Sequence, residues 1–183
     1  MREWDRAKAI AAFEAFQLSG TNAALAVYWL SLWDGNRPPR RGDFNPSRVR
    51  DLLPAIALTE VRSNDDPVCR LSGRYIDMAL GAPMRGVNML TLAGGAEQRT
   101  LRRARLCALV DGGVALAKTH YRTEAHVTAV AETIQLPFHG MLEDGSRQIL
   151  MHTNWRPAPA DYRVRTRRPN AGFPDAYCAL PLR

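Results

Sequence analysis

The sequence predicts an α+β domain in which helices at the amino-terminal end lead into a largely antiparallel sheet, and three observations carry that expectation. A length of 183 residues suits one domain, since two equal ones would each be small, and an apolar share of 46% is enough for one packed core. Runs of strand character at 129–142 and 147–156 flank Asp144-Gly145, a dipeptide that favours a tight hairpin turn. Ahead of them, segments of helical character before residue 36 and again at about 97–110 are separated by shorter apolar runs bounded by turn residues.

The first 35 residues read as two helices divided by Ser19-Gly20-Thr21-Asn22, where Gly20 can end one helix and Thr21 or Asn22 can cap the next. The first helix carries only a drifting ridge of Ile10, Phe13 and Phe16. Residues 23–33 are apolar almost all round, with Leu25, Trp29 and Trp33 at four-residue spacing, so this helix needs cover on more than one side. The sheet is expected to supply part of that cover on its outer face. A second subunit supplies the rest, which makes Leu25, Trp29 and Trp33 candidates for a homodimer interface, with the first helix as the competing cover. From Arg37 to Pro46 three prolines predict an irregular strap.

Residues 55–62 and 67–74 form a predicted hairpin around Ser63-Asn64-Asp65-Asp66. Glycines then punctuate short helical turns, including residues 75–80, before the helix at about 97–110, on which Leu101, Arg105 and Leu109 share a face. Arg99, Arg102 and Arg103 project elsewhere and read as a solvated helix face. Gly112-Gly113 stops this helix and begins a third strand. If Asp144 and Gly145 form the hairpin turn, Phe138 opposes Met151, Leu136 opposes Thr153 and Ile134 opposes Trp155 on one core face. Thr133, Gln135, His139, Gln148, His152 and Asn154 then take the other face. Pro137 cannot donate to a ladder, which predicts a bulge or a missing neighbour there.

The formal charge of +7 is concentrated at the end of the chain, where residues 158–183 hold five arginines against two aspartates among prolines. These residues are expected to be a basic tail, after a helical extension at 1–36 and a core at 37–157. Apart from the tail, neither a recognition helix nor basic residues interleaved with aromatics appear, so nucleic-acid binding through the tail ranks as a third functional option. No run approaches the length of a membrane span and the first residues lack a signal-peptide core, so a cytoplasmic protein with no membrane partner is expected. Cys69, Cys107 and Cys178 make no close pair and read as reduced small hydrophobes.

The order of helices, two strands, short helices, a longer helix and three further strands is that of a PAS domain. Tyr28-Trp29, Asp43 to Pro46, Leu53-Pro54, Arg70 to Gly73, Gly81, Gly86 and Leu136-Pro137 sharpen the likeness. Over roughly residues 20–156 the chain resembles a family of bacterial single-domain PAS-like proteins. The resemblance implies a five-stranded antiparallel sheet with helices on one face, a cavity that some relatives use for a small molecule, and an output by changed contacts with a separate signalling protein. These are structural signposts and imply no catalytic group.

No GxSxG elbow or phosphate loop is present, and Gly94-Gly95 and Gly112-Gly113 merely punctuate helices. In the expected register His139 and His152 are diagonal neighbours, but neither Glu143 nor His120 is placed to complete a metal site. Relatives that bind haem use a histidine on the longer helix, where 97–110 has none, and Met89 stands where light-sensing flavin relatives carry a reactive cysteine. No cofactor is therefore expected, which leaves room for an unidentified small apolar ligand. Its cavity would be lined by Ile134, Leu136, Phe138, Met151, Trp155 and Leu101, with Tyr75 and Met78 at its side. The leading expectation is a non-enzymatic sensor or adaptor acting through regulated protein association; the alternative is an enzyme accessory or cryptic enzyme using the same cavity.

Overall fold

In the computed structural model, residues 5–122, 128–157 and 174–181 are described. Helices α1 (Arg6–Phe16) and α2 (Gly20–Ser31) come first, followed by 3-10 segments at Arg41–Asp43 and Pro46–Ala55. Strands β1 (Ile56–Val61) and β2 (Pro67–Ser72), helix α3 (Arg74–Leu80), a 3-10 turn (Met89–Leu92) and helix α4 (Ala96–Val110) follow. Strands β3 (Gly113–Arg122), β4 (Thr128–Pro137), β5 (Arg147–Pro157) and β6 (Pro174–Pro181) complete the chain. The sheet is antiparallel in the order β2-β1-β5-β4-β3-β6. Its first five strands are the sheet the sequence leads one to expect. The sixth was not foreseen: residues 174–181 of the expected tail pair with β3 from Gly113↔Pro181 to Thr119↔Pro174. Proline at each end of an edge strand removes no donor from the middle of the ladder, so the residues that suggested a tail are compatible with a strand.

Both faces of the sheet are covered. On the outer face α2 lies across β4 and β5, and Leu25, Trp29, Leu116, Ile134, Leu136 and Leu150 join one buried cluster with Phe13 of α1. Trp29 is central to it: its ring meets Phe13 at 6.5 Å and Trp33 at 5.1 Å, both edge-on. Burial of one such aliphatic or aromatic side chain contributes roughly 1.5–3 kcal/mol over leaving it exposed. On the inner face α4 sets Leu106 and Leu109 against Ala115 and Ile149, while α3 and the following turn enclose Ala57, Cys69, Ile76 and Met84.

Helix α1 ends earlier than Gly20, at Gln17, which takes the left-handed conformation (φ 53°) and donates its N–H to the Glu14 carbonyl. Ser19, rather than Thr21 or Asn22, occupies the cap position of α2.

The β4–β5 hairpin also departs from expectation. Leu136 pairs with Leu150, Ile134 with His152 and Gln135 with Met151, three residues away from the register inferred from Asp144-Gly145. That dipeptide does lie in a turn, with Gly145 at φ 79° and its N–H donating to the Leu142 carbonyl. However, the chain leaves the ladder at residues 139–141, where the His139 N–H donates to the Pro39 carbonyl of the strap at 2.8 Å and Gly140 takes φ 91°. The ladder resumes only at Phe138 N–H to the Gln148 carbonyl, 2.9 Å. An odd shift moves every β5 side chain to the opposite face relative to β4. Pro137 meets Ile149 on one side and lies beyond the last β3–β4 pair, Ala115↔Gln135, on the other, which is the missing neighbour expected for it.

Candidate functional site

Strand β5 outruns β1. Their pairing begins at Ile56↔His152, so residues beyond His152 extend past the first residue of β1. The 3-10 segment Pro46–Ala55 and helix α3 flank this gap, held together at Gly73, whose N–H donates to the Ile56 carbonyl at 2.8 Å. A Cβ at Gly73 would collide with the backbone of Leu53 and Pro54, so only glycine permits the approach. The result is a recess of about 470 Å³ lined by Thr21, Leu52, Tyr75, Met78, His152 and Trp155, among others. Part of its apolar lining is open to solvent, with Met78 75% and Tyr75 45% exposed. Arg74 stacks over the Tyr75 ring at 5.0 Å and donates to its hydroxyl oxygen at 3.2 Å, which steadies that side chain.

Behind the recess lies a buried polar network. Glu132 of β4 is 1% exposed, Asn22 of α2 0% and His152 of β5 2%. One Glu132 carboxylate oxygen accepts from the Ser19 backbone N–H and from the Ser19 hydroxyl, each at 2.7 Å, and from Asn22 Nδ2 at 2.9 Å. Asn22 Nδ2 also donates to the Glu132 carbonyl at 2.9 Å. With its amide nitrogen so committed, Asn22 presents Oδ1 to His152 Nδ1 at 2.7 Å, and the imidazole donates. Asn154 Nδ2 closes the set on the Ser19 hydroxyl oxygen at 2.9 Å. A carboxylate buried at the start of α2 is satisfied by these donors and favoured by the helix dipole. Burial pushes His152 down to about 4, against the opposing pull of the Glu132 charge.

The structure gathers three of the expected cavity residues, Tyr75, Met78 and Trp155, at the recess. Met151 lies beside them, packed with Trp155 against Ala57, Cys69, Ile76 and Met84. The other expected lining residues are elsewhere. Ile134, Leu136 and Phe138 face α2 on the opposite side of the sheet, because the register shift separates them from Met151 and Trp155. Leu101 is 41% exposed, since α4 turns Leu106 and Leu109 to the sheet and Arg102 reaches the Met89 carbonyl at 2.6 Å. Arg103 pairs with Asp65, so the arginine face of α4 is more engaged than a purely solvated one.

Leu25 and Trp29, expected to await a second subunit, are both 0% exposed within the single chain, while Trp33 is partly buried against the same cluster. Helix α1 and the sheet are sufficient cover for them. His139 and His152 are not neighbours either, because His152 stands opposite Ile134 and His139 has left the ladder. Among the described residues no group of three metal-ligating side chains occurs. The residues that sequence reasoning missed are Asn22, Glu132 and His152. The available signal was a lone acid within the strand of residues 128–137, since a carboxylate sunk in an apolar layer must find donors.

A family model described as PAS domain matches residues 18–150. Among solved structures, the PAS domain of an HTR-like protein from Haloarcula marismortui is similar, at 18% identity and a TM-score of 0.38. The alignment covers 60% of this chain and 90% of that one. No curated protein matches the chain. No helix among the described residues is long and apolar enough to cross a membrane.

Proposed function

Because this chain belongs to the PAS domain family, whose members commonly serve as signal-sensing modules, we propose that it is a non-enzymatic cytoplasmic sensor or adaptor. It receives a small amphipathic ligand in the recess at Tyr75, Met78 and Trp155 and answers by changing its association with another protein. The observation that carries this reading is the double membership of His152. The residue lines the recess and holds Asn22 of α2 at 2.7 Å, so an occupant of the recess touches the group that ties the amino-terminal helix to the sheet. A recess of this size suits a small molecule, with aromatic and thioether surface for its apolar part and Thr21 and His152 for its polar part.

Native mass spectrometry of the full chain as purified tests the ligand. A one-to-one non-protein mass is expected, lost when Met78→Arg sets a charge across the rim. Bare protein in both samples would refute ligand sensing. The first partner to test is a second copy of the chain, on the side of α2 where Val27 is 67% exposed. Light scattering should give twice the chain mass of 20.4 kDa, and a monomer at micromolar concentration would refute a homodimer.

A further inference from the structure

A second cavity, on the far side of the outer face from the recess, lies between the strap and the β4–β5 loop. Its volume is about 430 Å³, and its walls are formed by Arg40, Arg41, Phe138, His139, Met141 and Gln148, among others. The strap is fixed by buried Pro39 and Phe44 and by the His139 N–H on the Pro39 carbonyl. Arg41 is held between two rings, its guanidinium carbon 5.8 Å from the centre of Phe44 and 5.9 Å from that of Phe138. It spends one N–H on the Phe44 carbonyl at 3.4 Å, which leaves the rest of its donor fork without a protein acceptor among the described residues.

Two carboxylates close in sequence to the cavity walls, Asp43 and Asp144, are occupied in their own turns. Asp43 accepts the Arg40 backbone N–H at 2.7 Å, and Asp144 accepts the Ser146 N–H at 3.0 Å and its hydroxyl at 2.7 Å. Neither lines the cavity, and no ion pair engages Arg40 or Arg41 among the described residues. One further observation registers the resulting field. His139 is pushed below its ordinary value by burial and then by the charges of Arg40 and Arg37. In the same wall, Gln148 Oε1 is buried without a donor.

We propose that this cavity binds a small organic phosphate, its phosphoryl group held by Arg40 and Arg41 beside His139 and its body, through a hydroxyl or amine donor, by Gln148. Planar guanidinium forks match phosphate oxygens in pairs, and two of them beside an imidazole favour a dianion over a single carboxylate. Apolar walls of Phe138 and Met141 narrow the path of the field and strengthen the attraction relative to an open surface. The site is separate from the recess at Tyr75, so the proposal stands independently of ligand sensing there.

The test uses the full chain and inorganic phosphate as probe, followed by imidazole NMR at constant ionic strength with chloride as the replaced ion. His139→Gln identifies the resonance. Saturable binding is expected, with the His139 titration moving to higher pH in phosphate, because a bound dianion favours the imidazolium. Arg41→Gln and the solvent-exposed Arg40→Gln should each weaken binding by about tenfold or more, the scale of one lost charge-assisted contact. Arg40→Gln guards against a folding effect, and a melting curve without phosphate confirms that each variant is folded. A response that grows linearly without saturation, an equal response to chloride, or unchanged affinity in both arginine variants would overturn the proposal.

Discussion

Lowering the pH should loosen α2 from the sheet through one residue, His152. In the folded protein this imidazole titrates at about 4, against an ordinary value of 6.5, because burial outweighs the attraction of Glu132. Between those values the unfolded chain holds the extra proton and the folded chain does not. Stability therefore rises with pH across this window; the contribution is complete above about pH 7 and lost as pH falls towards 4. At 1.36 kcal/mol per tenfold change in proton affinity, the interval corresponds to about 3 kcal/mol. The assay is urea unfolding of the wild type and of His152→Gln at intervals from pH 7.5 to 4. At pH 7.5 the variant should be less stable by about 1–3 kcal/mol, the cost of disturbing the buried bond to Asn22 Oδ1, since a flexible glutamine amide does not reproduce the position of the imidazole Nδ1. The difference should shift by about 3 kcal/mol in the variant's favour on going to pH 4, closing or reversing the gap, since the variant has no imidazole to protonate. A gap constant to within about 0.5 kcal/mol would refute the burial argument for His152.

Other consequences can be tested by the same unfolding measurements. Gly73→Ala should destabilise by about 3 kcal/mol or more, because its Cβ meets the Leu53 and Pro54 backbone, which cannot yield as a side chain can; a loss under 1 kcal/mol would place the close approach in doubt. Trp29→Ala should cost about 3–5 kcal/mol by opening a cavity beside Phe13, Leu25 and Ile134, and this loss should not depend on protein concentration if the cover comes from the same chain. Asp65→Asn breaks the pair with Arg103 between partners 70% and 43% exposed, so a change of no more than about 1 kcal/mol is expected, and a larger one would show that the pair is more than a surface contact.

The recess and the network behind it suggest why a buried ionic group is retained where an apolar layer would be simpler. Well-packed hydrophobic residues often replace a buried polar set without loss of stability. Here the network joins α2, β4 and β5 at one point, and Asn22 can satisfy both Glu132 and His152 only when α2 is seated in a single position. An apolar patch would tolerate sliding; directional hydrogen bonds do not. This gives the proposed sensor a defined seated state from which a ligand could displace the helix.

The α+β class, the two amino-terminal helices, the first hairpin and α4 were legible in the sequence because each depends on neighbours within a few residues. Apolar runs between turn-forming residues define the strands, and 3.6-residue spacing with glycine punctuation defines the helices. The family resemblance was legible for the same reason, since it rests on a linear order of elements. Tertiary structure alone decided which side of β5 is buried, because a bond from His139 to Pro39, about a hundred residues away in sequence, draws the chain out of the ladder and adds residues to the loop. A turn dipeptide can mark where a chain reverses without fixing the register when a distant acceptor competes for the flanking backbone donors. The same limit hid the network of Asn22, Glu132 and His152 and the approach at Gly73, whose parts lie far apart along the chain and meet only after the sheet has formed. It also hid β6, which needs the exposed edge of β3 before its backbone donors and acceptors have anything to pair with.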